Sequence, residues 1–135
     1  MNPAKSYHTV GLRFRRLDLH VHTPASKDFD GDLEPDALVA AAKKAGLEGL
    51  AVTDHNSGAA IDEIKTAGEK HGVAVFPGVE ISCSGGKEGI HIIALFDPSC
   101  GRVHIEGLLS ALGLVPEQYG DGPLGHRVHR RGAAR

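Results

Sequence analysis

From Arg16 to Thr23 the chain reads R-L-D-L-H-V-H-T, with apolar side chains at Leu17, Leu19 and Val21 and polar ones at Asp18, His20 and His22. Alternation with a period of two marks a β-strand, whose successive side chains point to opposite faces. The strand predicted here turns one face to a core and gathers Asp18, His20 and His22 on the other. After a loop from Pro24 to Gly31, Pro35 suits a first helical turn, Leu38, Ala41, Ala42 and Ala45 recur at helical spacing, and Gly46 supplies a stop. Gly49 to Thr53 reads as a short apolar strand that runs into Asp54-His55-Asn56. Ala60, Ile64 and Ala67 then line a second helix closed by Gly72. Val73 to Phe76 and Val79 to Ser82 predict a third strand region broken by Pro77-Gly78. Ile90 to Phe96 predicts a fourth strand, and Ile105 to Leu112 a further short helix. Strands alternating with helices predict an α/β fold of roughly four strand-helix units, with parallel strands joined by crossover helices.

At 135 residues the chain has the length of one domain. Its 18 glycines are close to double the usual share of about 7% and fit many tight strand-to-helix turns. No apolar run approaches the ~20 residues that span a bilayer. Residues 1 to 11 lack the apolar segment of a signal peptide, so a cytoplasmic protein with no membrane role is expected. Cys83 and Cys100 form no C-x-x-C pair and read as small buried hydrophobes. From Gly120 the periodicity is lost and the chain becomes GDGPLGHRVHRRGAAR, a composition that predicts disorder. The expected division is therefore a domain over residues 1–119 and a Gly/Arg-rich tail over 120–135. The formal charge of −2 excludes little, but nine histidines are more than a core requires.

In each predicted unit the polar candidates sit at or near the carboxyl end of a strand: His20 and His22, then Asp54 and His55, then Glu80. Parallel α/β folds build their sites at that edge, so one shared site is expected. Imidazole is the commonest protein ligand for metals, and a His-x-His pair on one strand face is half of a metal site. A solitary histidine such as His91 on an apolar strand reads, alone, as a hydrogen-bonded core residue. In company the reading changes, because burying unpaired polar or charged groups costs several kcal/mol, and four histidines with two acids at one sheet end are best explained by metal. His8, His71, His104, His126 and His129 lack that company. His71 falls at a helix end, where a cation suits the helix dipole.

Four segments carry a family resemblance: DLHVHT at 18–23, TDHN at 53–56, PGVEIS at 77–82 and the strand HIIALF that starts at His91. In this order they resemble the N-terminal half of a PHP domain, the polymerase and histidinol phosphatase family of metal-dependent phosphoesterases. The resemblance implies a partial (β/α)7-type barrel whose carboxyl end holds two or three divalent metal ions, of zinc, manganese or iron. It implies His20 and His22 as the first ligand pair and Glu80 as a carboxylate bridging two metals. His91 resembles a ligand of the second metal and His55 a ligand of the third. Asp28 stands where the family often has another His or Asp, although Asp30 and Asp32 lie in the same acid-rich loop. Asp18 and Asp54 flank ligands and suit orienting the imidazoles and raising their basicity.

The activity implied is hydrolysis of a phosphate ester, with a nucleotide or nucleic acid as one substrate class. Lys27 or Arg102 would clamp a phosphate, against the commoner role of a solvated surface cation. No G-x-x-x-x-G-K-[ST] run is present to bind ATP. A complete PHP domain is longer, and its C-terminal half supplies a further His and an Asp-x-His pair, so the site is expected to be incomplete in this chain. The wording TPASKDFDGD, ALFDPS and QYGDG is similar to PHP domains that precede an ABC- or SMC-type ATPase domain. The Arg-rich end reads either as a slipped reading frame or as a basic arm for nucleic-acid phosphates. The alternative function is a non-catalytic PHP folding or interaction module of a larger nucleic-acid-processing protein.

Overall fold

The computed structural model describes residues 14–83 and 90–121. Strand β1 (Leu17–Val21), helix α1 (Pro35–Lys44), strand β2 (Gly49–Val52), helix α2 (Ile61–His71) and strand β3 (Ala74–Cys83) form two successive β-α-β crossovers. Strand β4 (Ile90–Leu95), helix α3 (Arg102–Ala111) and a single 3₁₀ turn at Pro116–Gln118 complete the order. Pro35 opens α1, with Asp36 in the first turn and Lys43 and Lys44 in the last, the placement that suits the helix dipole. Gly72 ends α2 in the left-handed conformation, at φ 66°. Helix α3 starts three residues before the predicted Ile105. Among the described residues no helix is long and apolar enough to cross a membrane.

The sheet order is β1-β2-β3-β4, and the pairs β1/β2 and β2/β3 are parallel as expected. The fourth strand is not: β4 pairs antiparallel with β3, Gly78 opposite Leu95 and Ser82 opposite His91. The reason is length. Only residues 84–89 separate the two strands, and a parallel return needs a crossover of a dozen residues or more. Strand β3 also runs unbroken through Pro77-Gly78, where the sequence predicts a break. Pro77 still accepts the Phe96 N–H at 2.8 Å and lies at the end of the β4 pairing, where its missing donor is tolerated. Gly78 is there for space: a Cβ would lie 2.9 Å from Leu95 Cδ2 and 3.0 Å from Val52 O.

The core lies between the sheet and its helices: Val39 of α1, Leu50 and Val52 of β2, Ile61 and Ile64 of α2, Val75 and Val79 of β3, and Ile105 and Leu109 of α3. The outer strands are less covered. Leu17 and Leu19 of β1 are 41% and 42% exposed, and Ile90 and Ile92 of β4 are 53% and 51% exposed. The face of β1 expected to be buried is thus half open, because β1 and β4 each have one strand neighbour among the described residues.

Gly68 gives a test of how tightly α2 sits on β3. In an exposed helix interior Gly→Ala gains about 1 kcal/mol. Here the added Cβ would lie 2.6 Å from Val75 Cγ2 and 2.8 Å from the Val73 carbonyl oxygen, and overpacking costs about 1–3 kcal/mol. The clash with backbone should win, so Gly68→Ala is expected to lower stability by up to about 2 kcal/mol. Chemical denaturation measures this, and a raised midpoint would refute the packing argument.

Candidate metal centre

The buried polar residues collect at one edge of the sheet: Thr23 and Ser26 after β1, Thr53 to Ser57 after β2, and Glu80 and Ser82 on β3. Edge geometry brings the candidate ligands together. His20 and His22 are two apart near the end of β1 and share a face. His55 follows β2 and forms a bridge with Glu80 of the neighbouring strand. Asn56, at φ 46°, turns the chain there, donates its N–H to Glu80 O at 2.9 Å and donates through Nδ2 to Asp121 O. His91 arrives from the amino end of β4, opposite Ser82, and the antiparallel direction of β4 is what places that end beside Glu80.

Glu80 is the centre of the arrangement. Its Oε2 lies 2.9 Å from His20 Nε2, 3.0 Å from His22 Nε2 and 3.6 Å from His55 Nδ1, while its Oε1 is paired with His91 Nδ1. His20 Nε2 and His22 Nε2 are 3.0 Å apart. Two candidate ligand groups result, His20/His22/Glu80 and His55/Glu80/His91, with Glu80 common to both. Asp28 Oδ2 reaches the other side of His55, 3.3 Å from Nε2. Asp30 and Asp32 stay exposed.

The triangle of His20 Nε2, His22 Nε2 and Glu80 Oε2 has edges of 2.9 to 3.0 Å. Ligands held 2.0–2.2 Å from one tetrahedral ion lie about 3.3 Å apart, so a small opening of these side chains accommodates a cation. The donor set of imidazoles and carboxylate with no thiolate suits a divalent metal. A carboxylate with nitrogen donors against both oxygens has the chemistry to serve two ions at once. These residues therefore fit the metal that the motif resemblance implies.

Electrostatics favour an ionised Glu80. Burial pushes its carboxyl up, but hydrogen bonds with His20 and His91 and the nearby His55 outweigh it, and the net direction is down. Asp54 goes the other way. Burial pushes its carboxyl up and prevails over the opposing hydrogen bonds from Thr23 and Ser26.

Asp54 is fully buried and touches the histidines indirectly. Its Oδ1 accepts Thr23 N–H at 2.6 Å and Ser26 Oγ–H at 2.8 Å, and its Oδ2 accepts Thr23 Oγ1–H at 2.7 Å. Ser26 in turn contacts His22 and the His55 backbone. Asp18 accepts the backbone N–H of His20 at 3.2 Å, fixing the strand and not an imidazole. Ser26 and Ser82 were not singled out by sequence. Ser82 Oγ lies 3.2 Å from His55 Nδ1, and its position two residues after Glu80, on the same strand face, is the signal that could have found it. Ser26 carries no comparable signal, since it stands in a loop.

Elsewhere, Lys27 pairs with Asp121 at 2.7 Å and Arg102 with Glu106 at 2.5 Å, so both candidate phosphate clamps are engaged by acids. His71 pairs with Asp36 at the end of α2, and His104 Nδ1 accepts the Gly101 N–H. Cys83 and Cys100 are free and partly buried. His8, His126, His129 and the Arg-rich segment lie outside the described residues.

Known proteins resemble this chain over part of their length. The 5'-3' exoribonuclease of Haemophilus influenzae is 42% identical over 81 residues, which is 60% of this chain and 28% of that protein. The 3',5'-nucleoside bisphosphate phosphatase of Chromobacterium violaceum is 37% identical over 86 residues, 62% of this chain and 28% of that one. Among solved structures, a candidate metal-dependent phosphoesterase from Bifidobacterium adolescentis superposes with a TM-score of 0.57 at 34% identity, over 73% of this chain and 33% of its own. The chain thus spans about a third or less of the length of these relatives. The family model for the PHP domain matches residues 18–130, a span that holds every residue of the two histidine–glutamate groups, and the chain belongs to the PHP domain family.

Proposed function

We propose that the chain contributes the N-terminal ligands of a metal-dependent phosphoesterase acting on a phosphate ester of a nucleotide or nucleic acid. The observation that carries this reading is the buried Glu80 carboxylate, shared between His20 and His22 on one oxygen and His91 on the other. His20, His22, Glu80 and His91 would hold two divalent ions of zinc, manganese or iron, and His55 with Asp28 would hold a third. Bound metal would supply a hydroxide nucleophile at neutral pH and neutralise charge on the phosphoryl oxygens. The chain's own residues keep the ligands aimed. Asp18 holds the His20 backbone, and Asp54 anchors the loop that carries Ser26. The substrate class follows the relatives, one named an exoribonuclease and the other a nucleoside bisphosphate phosphatase. Their greater length and the open strands β1 and β4 support further strands and ligands in the complete domain.

Elemental analysis of the purified chain, paired with phosphate release from a 3',5'-nucleoside bisphosphate and a 5'-phosphorylated oligoribonucleotide, tests the reading. More than one equivalent of metal and hydrolysis that a chelator abolishes are expected. Less than one equivalent in a folded sample would refute metal binding by this chain. Full metal loading without hydrolysis of either substrate would favour the non-catalytic module.

A further inference from the structure

Ser26 is buried in the loop after β1, and its Oγ meets three polar groups at once: Asp54 Oδ1 at 2.8 Å, the His55 backbone nitrogen at 3.0 Å and His22 Nδ1 at 3.2 Å. A serine hydroxyl has one hydrogen to donate and two lone pairs with which to accept. The His55 N–H can only donate, so it takes one lone pair. Asp54 Oδ1 already accepts the Thr23 N–H at 2.6 Å, so it faces Ser26 as an acceptor and takes the single hydroxyl hydrogen. The other carboxylate oxygen is paired with the Thr23 hydroxyl at 2.7 Å. Only a lone pair is left for His22. The contact is a hydrogen bond when Nδ1 carries the hydrogen, and a clash of lone pairs when it does not.

We infer that Ser26 is a positioning residue that fixes His22 as the Nδ1–H tautomer, so that Nε2 of the neutral ring keeps its lone pair toward His20 Nε2 at 3.0 Å and the hydrogen bond to Glu80 Oε2 is left to His20 Nε2–H at 2.9 Å. Free imidazole side chains favour the opposite tautomer, with the hydrogen on Nε2, so the serine works against the intrinsic preference. The dependence runs from Asp54 through Ser26 to His22. Its use rests on the reading of His22 as a metal ligand, but the tautomer itself belongs to the metal-free chain and can be measured there.

The test is a two-bond ¹H–¹⁵N correlation spectrum of the labelled, metal-free chain at about pH 8, where an ordinary imidazole is neutral. His22 is expected to carry its hydrogen on Nδ1. In Ser26→Ala the ring is expected to revert toward Nε2–H, and zinc affinity, read by competition with a chromophoric chelator, to fall about 10–100-fold. Ser26→Thr keeps the hydroxyl and is expected to restore both. An Nε2–H ring in the unmodified chain would overturn the inference with no variant needed. So would a Ser26→Ala chain that loses thermal stability while the tautomer stays put, the signature of a merely structural serine. If the tautomer behaves as expected but neither chain binds metal, the proposed function fails and the tautomer assignment stands.

Discussion

Glu80→Gln is expected to remove bound metal from both histidine groups at once. The substitution preserves shape and hydrogen-bonding capacity but replaces a shared anionic ligand with a neutral amide. One of its two polar ends then presents hydrogens, either to the His20 and His22 nitrogens or to His91. Removing outer-shell partners of a metal site costs about 10–100-fold, so loss of a ligand common to both groups should cost at least about 100-fold in affinity and hydrolysis. His91→Ala gives the contrast, since it touches one group and should leave metal at His20 and His22. Elemental analysis of the two variants beside the parent chain reads this directly. Wild-type metal content in Glu80→Gln would sink the shared-ligand reading. Equal losses in both variants would sink the division into two groups.

Asp54→Ala is expected to be the most destabilising substitution at this edge. It removes the acceptor for the Thr23 N–H, the Thr23 hydroxyl and the Ser26 hydroxyl, all at a residue with no solvent exposure. Each buried donor left without a partner costs about 1–3 kcal/mol. One gain opposes this: burial raises the Asp54 carboxyl, so its charge is itself costly to keep inside. Three donors outweigh one desolvated charge, and a net loss of about 3 kcal/mol is expected. Denaturant unfolding in chelator measures the stability of the metal-free chain. A loss below about 1 kcal/mol, the worth of one ordinary hydrogen bond, would mean that the donors find water and that Asp54 is not the anchor of the loop.

Much of this edge can be read along the chain. His20 and His22 share a face because strand side chains alternate, and β1 needs no distant contact to set that. Helices α1 and α2 follow their apolar spacing, and Pro35 and Gly72 end up at the helix start and stop that their backbone preferences dictate. His55 and Glu80 stand at or near strand ends that a parallel pairing must bring to one side. These are local or pairwise rules, and the sequence carries them.

Other features depended on groups far apart in the chain. The direction of β4 hung on a connection too short for a crossover, and that direction decides whether His91 lies beside Glu80 or at the opposite edge of the sheet. Pro77-Gly78 reads locally as a break, yet it stays within β3 because Pro77 pairs with Val52 of β2 and Gly78 with Leu95 of β4, where a Cβ at position 78 would have no room. Leu17 and Leu19 have the spacing of buried residues, but burial needs a covering layer, which alternation cannot specify. Ser26 gains its three partners only when the β1 loop meets the end of β2. The sequence by itself determined which side chains could bind metal and which strands present them. Tertiary structure alone decided which of their atoms converge, because convergence depends on strand direction and on close packing between segments that are distant in the chain.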